Sequence, residues 1–224
     1  FNDFVMAGDM KMHTAGSIRE GKNVWALAKV DESFEILGGD KVDSYLLFSN
    51  PHEYGKCIDI RFTAIRVVCN NTLTLSLNTH SEHMVKVSHR KEFNAENVKD
   101  TLGIARNKLN KYKDMAQFLG GKRYTKDTVQ EYFMQVFPSN QQKKGKENAE
   151  MSRPARLAQA ILETQPGAEF AKGSWWQAFN ATTFLIDHKL GRTADTRLQS
   201  AWFGANKAVK TRALETAVKM AEAA

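Results

Sequence analysis

The stretch RFTAIRVVCNNTLTLSLN, residues 61–78, decides how the first half of the chain is read. It opens as a strand. Under two-residue alternation Phe62, Ala64 and Val68 fall on one side and Thr63, Ile65 and Val67 on the other, so both sides are largely apolar. A strand apolar on both faces belongs in the interior of a sheet. Arg61 and Arg66 lie inside it, and a charge there must be ion-paired or open onto a polar groove. Arg66 is therefore expected either to pair with an acid, with Asp43 and Asp59 as candidates, or to contact a ligand. Asn70-Asn71 follows. Asparagine tolerates left-handed backbone, which favours a tight hairpin turn; the alternative is that Asn70 caps a short helix carrying Leu73 and Leu77.

Upstream, VWALAKV (24–30), FEIL (34–37), VDSYLLF (42–48) and KCIDIRF (56–62) are short apolar runs. Turn chemistry separates them at Asp31-Glu32-Ser33, Gly38-Gly39-Asp40 and Ser49-Asn50-Pro51-His52, the spacing of an antiparallel meander over about 24–89. Downstream, from Asn94, the period changes. Val98, Leu102, Ala105, Leu109, Tyr112, Ala116 and Leu119 recur at steps of three and four, which predicts a long amphipathic helix ended by Gly120-Gly121. A second helix is expected from about Thr125, burying Val129, Phe133 and Val136 and stopping before Pro138. Residues 139–152, SNQQKKGKENAEMS, lack periodicity and read as a mobile linker. Beyond them Pro154 stands near a helix start with Leu157 and Ile161 inward, followed by helices at Ser174–Leu190 and about Thr196–Ala221. The fold class is α+β: a core over 1–138 with helices at about 94–137, a linker, and a helical part over 153–224 packed on the core.

Charge narrows the function classes. The net charge of +7 is regional, because residues 99–156 hold 13 Lys or Arg against 6 Asp or Glu and the rest is balanced. A localised cationic surface suits a polyanion. Single strands are held by cationic grooves with aromatic platforms, and Arg61, Arg66, Lys99, Arg106, Lys111, Lys122, Arg123 and Tyr124 supply that chemistry. Trp175, Trp176, Phe179, Trp202 and Phe203 are expected in the core rather than as stacking platforms. Cys57 and Cys69 lack CxxC spacing and read as reduced core residues of a cytoplasmic protein. No apolar run is long enough to span a membrane, so no membrane association is expected. The chain opens on Phe1 without a signal-peptide pattern, so an upstream segment is expected.

Catalytic signals are poor. His80, His83 and His89 do not have zinc spacing, Asp187-His188 are neighbours that point apart on a helix, and no phosphate loop occurs. A magnesium-dependent nuclease built on Asp40, Asp43 and Asp59 is a minor alternative, so no enzyme activity, cofactor or metal is expected.

Three strings, SYLLFSNPHEYGKCIDIRFTAIRVVCNNTLTLSL, GSWWQAFNATTFLIDHK and RLQSAWFGANKAVKTRALETA, occur in that order. Across roughly residues 24–220 the chain resembles the phage and plasmid-like domain-of-unknown-function 932 family. The resemblance implies a mobile-element protein, and by analogy of fold a Rad52-like annealing protein working as a homo-oligomeric ring or filament on single-stranded DNA. In that picture Arg61, Arg66, Asn70, Asn71 and Thr72 line a phosphate-binding face beside the long basic helix. The alternative is an interaction protein that redirects a host factor through Trp175–Leu190 and Arg197–Val218.

Overall fold

The computed structural model describes residues 2–8, 10–69, 71–74, 84–87, 94–145 and 150–223. A short helix, α1 (Asn2–Ala7), leads into strands β1 (Lys11–Ile18), β2 (Asn23–Glu35), β3 (Lys41–Pro51), β4 (Ile58–Arg66), β5 (Asn71–Thr74) and β6 (Met84–Val87). They form one antiparallel sheet in the order β1-β2-β3-β4-β5, with β6 also paired to β4. The two-sided apolar pattern of the opening stretch thus has its expected outcome, since β4 has partners along both edges. The hairpin also holds, with Arg66 opposite Asn71 and Thr63 opposite Thr74.

Three strand expectations need adjusting. VWALAKV and FEIL are one strand, because Asp31-Glu32-Ser33 makes an irregularity in the β2–β3 pairing and not a turn. β4 ends at Arg66, and exposed Val67 and Val68 belong to the turn that follows it. The residue beyond, Cys69, is buried, forms no disulfide and accepts from Arg66 at 3.9 Å. The sheet also begins earlier than 24. β1 escapes alternation because it is an edge strand exposed at six of its eight positions, so its sequence carries no buried face to read.

The helices are α2 (Ala95–Gly121), α3 (Lys126–Val136), α4 (Asn140–Lys143), α5 (Arg153–Ala160), α6 (Trp175–Phe184), a π-helical turn (Leu185–Lys189), α7 (Ala194–Phe203) and α8 (Ala205–Glu222). α2 runs through both glycines. Gly120 has no side chain because a Cβ there would lie 2.5 Å from Leu37 Cδ1. Thr125 caps α3 through a reciprocal box with Thr128, and Val129, Phe133 and Val136 are buried as the spacing requires. Part of the expected linker is helical: Ser139 caps α4 with Gln142 as its reciprocal partner. In α5 the inward residues are Ala155 and Ala158, while Leu157 is exposed. The last expected helix is two. Gly204 is extended and ends α7, and a Cβ there would stand 3.1 Å from Ser200 Cα in the last turn of that helix, which suits glycine to the break.

Helices cover both faces of the sheet, and β3 is buried from Val42 to Ser49. Tyr112 of α2 meets Trp176 of α6 and Phe34 of β2 on the face that carries Val42. Seven residues along β3, hence on the opposite face, Ser49 pairs with Trp25, whose ring meets Trp202 of α7 edge-on at 4.9 Å. Among the described residues no helix is long and apolar enough to cross a membrane.

Candidate nucleic-acid interface

The structure sorts the expected cations into two groups. Those in the sheet are neutralised from within. Arg66 is 1% exposed and donates from Nε to both carboxylate oxygens of Asp40, at 2.7 and 2.9 Å. Its remaining nitrogens reach the carbonyls of Gly167 at 2.7 Å and Pro166 at 3.2 Å. Asp40, itself fully buried, also accepts from Trp176 Nε1 at 2.8 Å. The partner is therefore Asp40 and neither Asp43 nor Asp59. Arg66 faces the interior and has no surface to offer a strand. The register explains this: Val42 pairs with Arg66, so the Gly38-Gly39 turn delivers Asp40 beside it. Arg61 donates to both Asp59 oxygens at 2.7 Å and to the Trp202 carbonyl at 3.1 Å, with its guanidinium 5.2 Å over the Phe203 ring. Lys29 holds Asp43 at 2.7 Å.

The three aspartates of the nuclease alternative are therefore each engaged by a separate cation. Asp43 and Asp59 do not meet either: Asp59 pairs with Ser49, six residues from Asp43 along β3, or about 20 Å. Among the described residues no group of three His, Cys, Asp or Glu could hold a metal ion. His80, His83 and His89 lie outside the described residues. Asp187 pairs with buried Lys210 at 2.7 Å. Burial holds Lys210 below the usual lysine range, with Asp187 opposing.

The second group is exposed and gathers at the α2–α3 junction. From Lys111 to Lys126 five Lys or Arg stand against the single acid Asp114. Lys111, Arg123 and Lys126 are exposed and Lys122 half-buried. None of these four makes an ion pair with a described residue. Lys111 and Phe118 are seven residues apart on α2, hence on one stripe, and Lys122 Nζ lies 5.8 Å over the exposed Phe118 ring.

Backbone bonds stiffen the junction. Trp175 N donates to Lys122 O at 3.0 Å, and Tyr124 N donates to Gly173 O at 3.1 Å. Arg123 bridges to Ser174, and its guanidinium donates to Lys172 O. Tyr124 is not a stacking platform: its hydroxyl donates to Gln177 Oε1 at 2.6 Å, and burial, then Glu163, pushes its pKa up to about 12.

Of the expected site, then, the described structure brings together Lys122 and Arg123, with Lys111 about 16 Å up the helix from Lys122. Arg61 and Arg66 are held elsewhere. Asn71 and Thr72 sit in β5 and Lys99 and Arg106 in α2, but their side chains, and the whole of Asn70, lie outside the described residues. Phe118 and Lys126 were not anticipated. The Phe118–Lys122 spacing of four was the available signal. Trp175, Trp176, Phe179 and Trp202 are at most 3% exposed, so the aromatic C-terminal helices spend their anchors on the chain's own core.

The fold and this surface define an α+β protein whose closed core carries an exposed cationic flank. The chain belongs to the family described as Domain of unknown function (DUF932), whose model matches residues 1–213. No curated protein and no solved structure matches it.

Proposed function

We propose that the protein binds single-stranded DNA along the α2–α3 junction and promotes annealing. It works as a homo-oligomer in the host cytoplasm on behalf of a phage or plasmid. The observation that carries this reading is the exposed line of Lys111, Phe118, Lys122, Arg123 and Lys126, whose cations make no described ion pair while those of the sheet do. Unpaired Lys and Arg displace the counterions condensed on the phosphate backbone, and their release drives strand binding without a base code. Phe118 supplies a flat apolar surface on which a base can stack, worth about 1–3 kcal/mol per base in other single-strand sites. Bases left otherwise uncontacted stay free to pair, as annealing requires. A sheet followed by a long helix is also consistent with the Rad52-like analogy.

Fluorescence anisotropy with labelled oligothymidylate, with duplex of the same length as competitor, tests binding. Mixing complementary strands with a quencher pair tests annealing. Binding that favours the single strand, with faster pairing in the protein's presence, is expected. No binding at low salt would remove the reading.

A further inference from the structure

A second, separate surface carries a ligand inference. Where β2 begins and β3 ends, a cleft of about 430 Å³ opens between the β1–β2 turn, the β3–β4 connection and α7. That volume lies within the range of small-molecule sites. Its floor is fixed. Ser49 donates to Asn23 at 2.8 Å, both residues being buried, and Arg61 is clamped between Asp59, the Trp202 carbonyl and the Phe203 ring.

Three features suggest what it accepts. Arg19, Lys56 and Arg61 line it and Lys207 lies within the field of Arg61 and Asp59; Arg19 pairs with Glu53 at 2.6 Å and Arg61 with Asp59, which leaves Lys56 and Lys207 without a described ion pair. Burial first and Arg61 second hold Lys207 below the usual lysine range, with Asp59 opposing. Two positive charges remain unmatched, and a phosphate monoester carries about −1.5 to −2. Next, Gln199 lines the cleft, and its buried Oε1 accepts from no described group, which leaves an acceptor for a donor on a ligand. Finally, the turn at the mouth is strained: Arg19 and Glu20 have φ of 56° and 57°, a left-handed conformation that residues with a Cβ rarely adopt. The strain is held in place because Arg19 N donates to both carboxylate oxygens of Asp195 at 3.2 and 3.3 Å. Strained backbone of this kind clusters at ligand sites.

We propose that this cleft binds a phosphate monoester of nucleotide size, its phosphate held by Lys56, with Arg19 shared between it and Glu53, and its hydrogen-bond donors directed to Gln199. Two sources share that chemistry, a free mononucleotide and the 5′-phosphorylated end of a strand. The proposal stands apart from strand binding at the α2–α3 junction, which lies on different elements.

Isothermal titration with 5′-AMP, adenosine, and 5′-phosphorylated or 5′-hydroxyl oligothymidylate tests it, using wild type and the Lys56→Ala and Lys122→Ala/Arg123→Ala variants. AMP should bind at least tenfold more tightly than adenosine. Lys56→Ala should weaken AMP at least tenfold while its melting temperature stays that of wild type, and the junction variant should bind AMP normally. If strand ends are the source, the 5′-phosphorylated oligonucleotide outbinds AMP and loses at least tenfold without its phosphate. If free nucleotide is the source, the two oligonucleotides are equal. AMP binding no better than adenosine, or insensitivity to Lys56→Ala, would overturn the proposal. Loss of oligonucleotide binding alone in the junction variant would concern the other surface only.

Discussion

Replacing Arg66 with alanine should unfold the protein more readily without acting on DNA. The guanidinium is 1% exposed and its deletion strands Asp40, which is fully buried and keeps only Trp176 Nε1 as a described partner. The Pro166 carbonyl loses its Arg66 donor at the same time, and the Gly167 carbonyl keeps only Phe170 N at 3.4 Å. Breaking a buried pair in this way costs about 3–5 kcal/mol. For a chain of this size each kcal/mol moves the melting temperature by about 2–4 °C, so a fall of about 6–20 °C is expected. Arg66→Lys keeps the charge but not the fork that meets both Asp40 oxygens, and should fall between. Thermal melts and urea titrations measure the loss, and anisotropy at a temperature where the variant is still folded measures DNA affinity. A stability change below about 1 kcal/mol would refute the buried-pair argument, because an exposed pair contributes about that much. Normal stability with weakened binding would return Arg66 to a phosphate-contacting face.

Three further outcomes are expected. Gly167→Ala places a Cβ at φ +76°, 2.6 Å from Val68 Cγ1 and 2.7 Å from an Arg66 nitrogen, and should destabilise by about 1–3 kcal/mol in urea titrations; unchanged stability would show that the loop gives way. Lys210→Ala leaves Asp187 buried without its ammonium partner and should cost about 3–5 kcal/mol, while replacing both residues with apolar ones should recover most of it. Burial holds His188 below the usual histidine range, with Asp187 opposing, so the unfolded chain takes up the proton first. This contribution to stability is complete above about pH 6.5 and is lost as pH falls below it. Denaturation midpoints of wild type and His188→Gln at pH 5 and 7.5 check the sign, and an equal pH dependence in both would contradict it.

The strand that opens the argument was legible because its constraint is local. Alternation from Phe62 to Ile65 reports burial on both faces, and Asn70-Asn71 marks the reversal. α2 and α3 were legible for the same reason, through their three- and four-residue steps and Thr125. β1 was not, since an exposed edge has no hydrophobic pattern to detect. The break at Gly204 was hidden because helical residues stand on either side of it and a lone glycine also occurs inside a helix, as Gly103 does in α2. The charge pattern located the cationic stretch at residues 99–156 but could not tell a committed arginine from an uncommitted one. Arg61 and Arg66 carry the same formal charge as Lys122 and Arg123, yet Asp59 stands two residues from Arg61 on the same strand, and register with β3 places Asp40 beside Arg66. Pairing across strands, which decides the case of Arg66, is set by the fold and leaves no mark at the position itself.

Strand binding at the α2–α3 junction is tested most directly by the salt dependence of oligothymidylate affinity in wild type and in Lys122→Ala/Arg123→Ala. If Lys111, Lys113, Lys122, Arg123 and Lys126 each neutralise one phosphate, log affinity falls with log salt at a slope of about −3.5. Removing two of the five should reduce the slope to about −2 and weaken binding at low salt, with the melting temperature unchanged. The same slope and affinity in both proteins would contradict the account and move the strand to another surface.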